Sequence, residues 1–263
     1  MGDDLRKSTQ ALHLKISKKG TLPMEPKDPK DRLIFALDVP NKAEAVKLAR
    51  ALLPEVGMFK VGLELFMAEG PQLLRDLAQE IPPEKIFLDL KLYDIPATVL
   101  GALKTILPGL AFVTIPCDIG FAGLQKIAAQ TGFKILAVTV LTSITSSELQ
   151  ELGLHSDFQD PARLVVRKAD MARSAGCHGV VCSGREVKAV KEACGPDFLA
   201  VCPGIRPAWA AVAGDDQKRT VTPYEAIKNG ADYIVVGRPI RTAPDPVAAA
   251  RKVVEEIAAG MKG

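Results

Sequence analysis

The stretch Phe87-Leu88-Asp89-Leu90-Lys91-Leu92-Tyr93-Asp94-Ile95-Pro96 places two carboxylates and one ammonium within a few residues of each other. Read as a strand from Lys85 to Leu92, it puts Ile86, Leu88, Leu90 and Leu92 on one face and Phe87, Asp89 and Lys91 on the other. Asp89 and Lys91 then stand about 7 Å apart along the backbone, two residues at ~3.3 Å each. Asp94 falls past the strand end, and Pro96 suits the first position of a following helix. An isolated buried charge is very costly, so opposed charges on a core strand look placed rather than left over. On the spacing alone, an ordinary ion-paired strand end and charges placed for function fit equally well.

The elements that would hold these charges repeat along the chain. From Arg32 onward, short apolar runs alternate with amphipathic stretches. The predicted strands are 33–39, 58–62, 85–92, 110–115, 133–141, 179–182, 198–202 and 233–237. Predicted helices lie at 42–53 behind an Asn41 cap, from strand two through Leu77, and at 95–107, 120–131 and 161–175. Others follow Ser183-Gly184 and cover 223–229 and 246–259. Such alternation demands parallel strands with right-handed crossovers, and eight units suggest a closed (β/α)8 TIM barrel, an α/β fold. No low-complexity linker appears after residue 31, so 31–263 reads as one catalytic barrel domain. Residues 1–30, charged and proline-rich toward their end, read as a peripheral or mobile N-terminal extension.

Composition agrees with that architecture. Hydrophobic residues make up 48% of the 263 and aromatics only 5%, so the core is mainly aliphatic, as expected of a sheet covered on both faces. A net charge of +3 is too mild to argue for nucleic acid or a membrane surface. The chain contains no apolar run of transmembrane length and no signal core at its N-terminus. Five cysteines without C-x-x-C spacing read as reduced, buried thiols of a cytoplasmic protein, and three scattered histidines make a zinc site improbable.

In a barrel of this kind the reacting face is the C-terminal end of the strands. Asp38, Lys60, Asp89, Lys91, Asp94, Thr142, Arg206, Gln217 and Arg238 all fall at or after predicted strand ends. Any one of them fits a bland loop; all of them on one rim point to an enzyme. The runs Cys202-Pro203-Gly204-Ile205-Arg206 and Val236-Gly237-Arg238-Pro239 follow strands seven and eight, where such barrels commonly hold phosphate. Glycine lets backbone N–H groups approach the anion, and Arg238 supplies a fork for two hydrogen bonds.

The motifs so far, with Phe59-Lys60-Val61-Gly62, Leu141-Thr142-Ser143, Pro203-Gly204-Ile205-Arg206-Pro207 and Gly214-Asp215-Asp216-Gln217-Lys218-Arg219, resemble the orotidine 5′-monophosphate decarboxylase family in its bacterial form. The likeness covers about residues 31 to 260. One departure stands out: after strand four the family carries a V-H-x-x-G-G type run, and here Thr114-Ile115-Pro116-Cys117-Asp118-Ile119-Gly120 stands.

The resemblance implies loss of CO2 from C6 of the orotate ring to give uridine monophosphate, the last step of pyrimidine synthesis, with no metal or organic cofactor. It implies that Lys91 stabilises and protonates the carbanion-like C6, that Asp89 holds Lys91, and that Lys60 and Asp94 complete an alternating chain of charge. Asp38 with Lys60 would bind the ribose, Thr142 would read the pyrimidine edge (Ser143 being a poorer substitute), and Pro203 would line the site. Gln217, Arg238 and the Gly237 N–H would hold phosphate, with Arg206 nearby, and the long loop carrying Gln217 would close over the nucleotide. Asp94, Ile95 and Thr98 would enter the site of a second subunit, so a homodimer with shared active sites is implied.

Two rival readings use the same strand. A sugar-phosphate decarboxylase or aldolase of the superfamily works through Mg2+ and an enediolate, and would carry an acidic metal ligand where Lys60 stands. A catalytically silent nucleotide-binding barrel would have no use for the full set of charges.

Overall fold

In the computed structural model, residues 26–210 and 219–263 are described. Eight parallel strands close into a barrel in sequence order. They are β1 (Leu33–Ala36), β2 (Met58–Gly62), β3 (Ile86–Asp89), β4 (Phe112–Pro116), β5 (Ile135–Val138), β6 (Gly179–Val181), β7 (Leu199–Cys202) and β8 (Tyr233–Val236). Closure is made by β8 pairing with β1, Leu33 opposite Ile234 and Phe35 opposite Val236. The helices are α1 (Lys42–Leu52), α2 (Leu63–Glu69), α3 (Gln72–Leu77), α4 (Pro96–Leu103), α5 (Phe121–Gln130), α6 (Ser146–Glu151), α7 (Pro161–Ser174), α8 (Val187–Cys194), α9 (Pro223–Lys228), α10 (Arg238–Arg241) and α11 (Pro246–Gly260). No described helix is long and apolar enough to cross a membrane.

Local chemistry sets the helix starts. Asn41 accepts the Glu44 N–H at 3.0 Å to cap α1. Thr145–Glu148 and Thr222–Glu225 form reciprocal capping boxes on α6 and α9. The apolar stretch after β2 divides at Gly70, whose φ of 69° ends α2 and lets α3 begin in a new direction. Two short helices, α6 and α10, went unread in the sequence because each spans at most two turns and has no apolar period of its own.

Strand lengths were overread. The expected strand 85–92 stops at Asp89, 133–141 spans only Ile135–Val138, and 33–39 stops at Ala36. Apolar residues continue past the last ladder bond in each case, because the loops at the barrel mouth pack on the helices as the strands do. The described part of the chain begins ahead of a single 3-10 turn, Pro29–Arg32; the buried Arg32 donates to the Ala231 carbonyl at 3.2 Å. The expected extension lies largely in residues 1–25, outside the described residues.

Two apolar layers result. The larger joins the outward strand faces to the helices, and the smaller fills the barrel with Ile34, Ala36, Met58, Phe87, Phe112, Leu136, Leu199, Val201, Tyr233 and Val235. Inside it, Phe112 stands edge-on to Phe87 at 5.9 Å and to Tyr233 at 5.6 Å, plugging the lower barrel. At Gly179 in β6 any Cβ would collide with the Leu199 carbonyl of β7. Gly179→Ala is therefore expected to cost about 1–3 kcal/mol, as overpacking does. Urea unfolding measures it; undiminished stability would contradict this close packing of β6 on β7.

Candidate active site

The side chains facing into the barrel alternate along each strand, so the inward register that begins with Met58, Phe87 and Phe112 continues upward to Lys60, Asp89 and Thr114. A polar layer therefore sits directly on the aromatic plug. Lys60 Nζ lies 2.9 Å from Asp38 Oδ1 and 3.9 Å from Asp89 Oδ2, and Lys91 Nζ lies 2.9 Å from Asp89 Oδ1. The order Asp38, Lys60, Asp89, Lys91 alternates in sign. The side chain of Lys60 is 11% exposed and that of Lys91 32%, so Lys60 is locked between carboxylates while Lys91 presents its ammonium to the opening.

Asp89 and Lys91 meet in a way the sequence did not foretell. They do not share the face of one extended strand, because β3 ends at Asp89 and Lys91 takes a φ of 51°. Among the described residues Lys91 alone, glycine apart, has a positive φ. A left-handed backbone costs a residue with a Cβ about 1–2 kcal/mol, so something must hold it. The holder is β4. Lys91 N–H donates to Thr114 Oγ1 at 2.9 Å, and Leu92 N–H donates to the Thr114 carbonyl at 3.2 Å. A glycine is needed nearby for a different reason: a Cβ on Gly62 would stand 2.8 Å from Lys60 Nζ and 3.0 Å from Asp38 Oδ1, breaking that ion pair.

Lys60, Asp89, Lys91, Thr142, Ser143 and Pro203 line one cavity of about 200 Å3, with Phe87, Val181, Cys182 and Val235 as its apolar walls. One of its walls, the segment that follows β5, is fastened by cations. Lys168 Nζ binds the Thr139 carbonyl at 3.0 Å and both oxygens of Asp118. Arg219 donates to the Val140 carbonyl at 3.1 Å and the Leu141 carbonyl at 3.0 Å, and pairs with Glu186 at 2.9 Å. Burial pushes the Glu186 carboxyl above its ordinary range, and Arg219 opposes that rise. Three consecutive carbonyls just before Thr142 are thus held by the half-buried Lys168 and the buried Arg219.

Other expected residues lie elsewhere. Gly237 and Arg238 follow β8, with the Gly237 Cα side facing Ala36 and Asp38. Arg206 sits after β7, its N–H donating to the Val221 carbonyl at 2.9 Å. Asp94, Ile95 and Thr98 are exposed and do not join this cavity; Asp94 Oδ1 accepts the N–H of Ile95 at 2.6 Å. Gln217 lies outside the described residues. The five cysteines are buried thiols; burial lifts Cys117 and Cys177 to about 12, far from nucleophilic. Among the described residues no three His, Cys, Asp or Glu side chains gather as a metal group. A larger cavity, about 720 Å3, opens at the opposite end of the barrel. Its Lys191 is spent on Asp232 at 2.7 Å and on two carbonyls, so it serves to tie α8 to β7 and β8.

Thr114, Gly62, Arg219 and Lys168 were not singled out in the sequence. Gly62 and Arg219 stand inside runs quoted above without a role of their own, and Thr114 is the one polar side chain in Phe112-Val113-Thr114-Ile115-Pro116.

Comparison with known proteins follows from this geometry. A family model described as "Orotidine 5'-phosphate decarboxylase / HUMPS family" matches residues 31–253. The orotidine 5′-phosphate decarboxylase of Desulfosudis oleivorans is 45% identical over 240 residues, covering 89% of this chain and 96% of the relative. That of Anaeromyxobacter sp. (strain K) is 50% identical over 229 residues, covering 86% and 97%. The crystal structure of orotidine 5′-phosphate decarboxylase from Lactobacillus acidophilus superposes with a TM-score of 0.70 at 36% identity, covering 86% of this chain and 98% of that one.

Removing Arg219 leaves the buried Glu186 carboxylate without its guanidinium partner and takes one donor from each of the Val140 and Leu141 carbonyls, the second of which keeps the Ile144 N–H at 3.0 Å. Arg219→Ala is expected to lose about 3–5 kcal/mol of stability, and a joint Arg219→Met, Glu186→Leu replacement much less. Denaturant melts of the two variants check this; equal losses would mean the ion pair is not the reason.

Proposed function

The chain belongs to the orotidine 5′-phosphate decarboxylase / HUMPS family, and we propose that within it the chain is a working orotidine 5′-monophosphate decarboxylase with Lys91 as its proton donor. It removes CO2 from C6 of the orotate ring and leaves uridine 5′-monophosphate, the last step of pyrimidine biosynthesis. The observation that carries the assignment of roles is the alternating row Asp38, Lys60, Asp89, Lys91 over an apolar plug.

Losing CO2 leaves an electron pair on an sp2 carbon that has no ring position to receive it. Preorganised charge must supply the stabilisation. An ammonium ~4 Å from that carbon is worth roughly 4 kcal/mol at an effective dielectric of about 20. Lys91 fits that role because it is the more exposed of the two lysines and is aimed by Asp89. It then gives its proton to C6. Asp38 and Lys60 would take the ribose hydroxyls, Thr142 the pyrimidine edge, and Arg238 with the Gly237 N–H the phosphate, joined by Gln217 and with Arg206 nearby. Pro203 would pack on the base from the strand-seven side.

Lys60 also weighs against the magnesium-dependent sugar-phosphate branch of the superfamily. Its ammonium, paired with both Asp38 and Asp89, occupies the place where a divalent cation would need an acidic ligand. Turnover of orotidine 5′-monophosphate in EDTA separates the two branches.

A homodimer completes the proposal. Asp94, Ile95 and Thr98 are exposed, and Leu63, Met67, Tyr93, Ile95 and Phe121 offer large apolar side chains to solvent from three neighbouring units of the barrel. A face with that much exposed apolar surface favours an isologous partner, across which Asp94 could reach Lys91 of the other subunit. The buried, unbridged thiols fit a cytoplasmic enzyme.

Two measurements test these assignments. Lys91→Ala is expected to lower turnover by more than about a hundredfold, since charge stabilisation and proton delivery go together, while leaving nucleotide binding largely intact. Near-normal turnover would remove Lys91 as the donor. For the shared site, inactive Asp94→Asn and Lys60→Ala proteins are mixed and allowed to exchange subunits. Random exchange of equal amounts makes about half the dimers mixed with one intact site each, so about a quarter of wild-type activity should return. No recovery despite confirmed exchange would place Asp94 in the site of its own subunit.

A further inference from the structure

Thr114 is wholly buried at the inward register of β4, one step beyond the Leu88–Val113 pair that joins β3 to β4. Its hydroxyl has a single proton and both neighbours fix where it goes. Oγ1 accepts the Lys91 N–H at 2.9 Å, so its proton is directed to Asp89 Oδ1 at 3.0 Å. Asp89 Oδ1 thus accepts from Thr114 and from the Lys91 ammonium, while Oδ2 is left turned toward Lys60 at 3.9 Å. One hydroxyl therefore touches the backbone of one member of the charged row and the carboxylate of another.

We propose that Thr114 is a positioning residue for proton delivery: it holds Lys91 in its left-handed backbone conformation and sets the rotation of the Asp89 carboxylate that aims the ammonium. The proposal rests on the decarboxylase reading and deepens it. Without the hydroxyl, the Lys91 N–H is left buried beside a methyl group. The turn that swings the lysine back over Asp89 then loses its anchor, and Asp89 gains rotational freedom. Neither change removes a group placed on ribose, base or phosphate, and Lys60 keeps its 2.9 Å bond to Asp38, so the loss should fall on the chemical step and spare nucleotide affinity.

The test compares Thr114→Val, Thr114→Ser and Thr114→Ala with wild type in orotidine 5′-monophosphate turnover, uridine 5′-monophosphate binding and thermal unfolding. The valine variant is expected to lose about tenfold to a hundredfold in kcat, the range one hydrogen bond to a charged group represents, with KM and product Kd near wild type. Serine, which keeps the hydroxyl but not the methyl, should return kcat to within about threefold of wild type, as a positioning role through Oγ requires. If the valine protein fails to fold, the serine and alanine pair carries the same contrast. Three results would overturn the proposal: undiminished kcat in the variants lacking the hydroxyl, equal loss in serine and alanine, or a fall in kcat matched by weaker product binding. An inactive wild type would instead overturn the decarboxylase reading and is seen in the same assay.

Discussion

Four charges of alternating sign have to be kept at the mouth of a barrel whose interior is otherwise hydrocarbon and aromatic ring, and most of the structure follows from that. The plug of Phe87, Phe112 and Tyr233 removes water from below, which strengthens each ion pair and makes each one costly to break. A single unpaired charge in this layer would be costly to keep. In the row each inner member has an opposite charge on either side: Lys60 between Asp38 and Asp89, and Asp89 between Lys60 and Lys91. The row ends at Lys91, whose free side opens to the cavity. An Asp94 carboxylate from a second subunit, as proposed, would close the row at that end without withdrawing the ammonium from the ligand.

The same constraint reaches the backbone. A straight strand through Lys91 would carry the lysine away from Asp89, so β3 stops and the chain turns through a left-handed residue. That strain is tolerable because β4 supplies two hydrogen-bond acceptors from Thr114 at the turn. On the neighbouring strand, the segment after β5 is held by Lys168 and Arg219 at three successive carbonyls. The cavity is therefore bounded by fixed walls where charge and base would sit. Such preorganisation is what electrostatic catalysis needs, since dipoles that must reorient during the reaction give back much of what they contribute.

Periodicity made the barrel legible: apolar runs alternating with amphipathic helices fix eight parallel units, and the rim residues then follow from strand ends. Asp89, Lys91 and Thr142 close or follow a strand and Lys60 points inward two residues before the end of β2, so the four line one cavity. What the sequence hid was whatever depends on a contact between distant segments. Nothing in Leu90-Lys91-Leu92 announces a positive φ, since lysine there obeys the alternating pattern of an ordinary strand. Thr114 draws meaning only from lying across from Asp89, and Arg219 only from reaching β5 some eighty residues earlier. Asp94 falls past a strand end like the others, yet it is exposed and does not join the cavity of its own subunit; its expected place across a subunit face came from the family resemblance.

The unusual run after β4 shows how a local departure is absorbed. Pro116 closes β4 with no N–H to offer, and Cys117–Ile119 form one 3-10 turn that ends at Gly120 with a φ of 82°. A turn this short leaves Asp118 projecting toward α7, where Lys168 takes both carboxylate oxygens. The same ammonium binds the Thr139 carbonyl, and the Cys117 thiol reaches the Lys168 carbonyl at 3.8 Å. The altered loop is thereby sewn to α7 and to the end of β5 at once. Thr114, two residues ahead of Pro116, keeps its inward register because the change in chain path begins only where the strand has ended. The hydrogen bonds that hold Lys91 and Leu92 are made by Thr114, before the chain leaves β4.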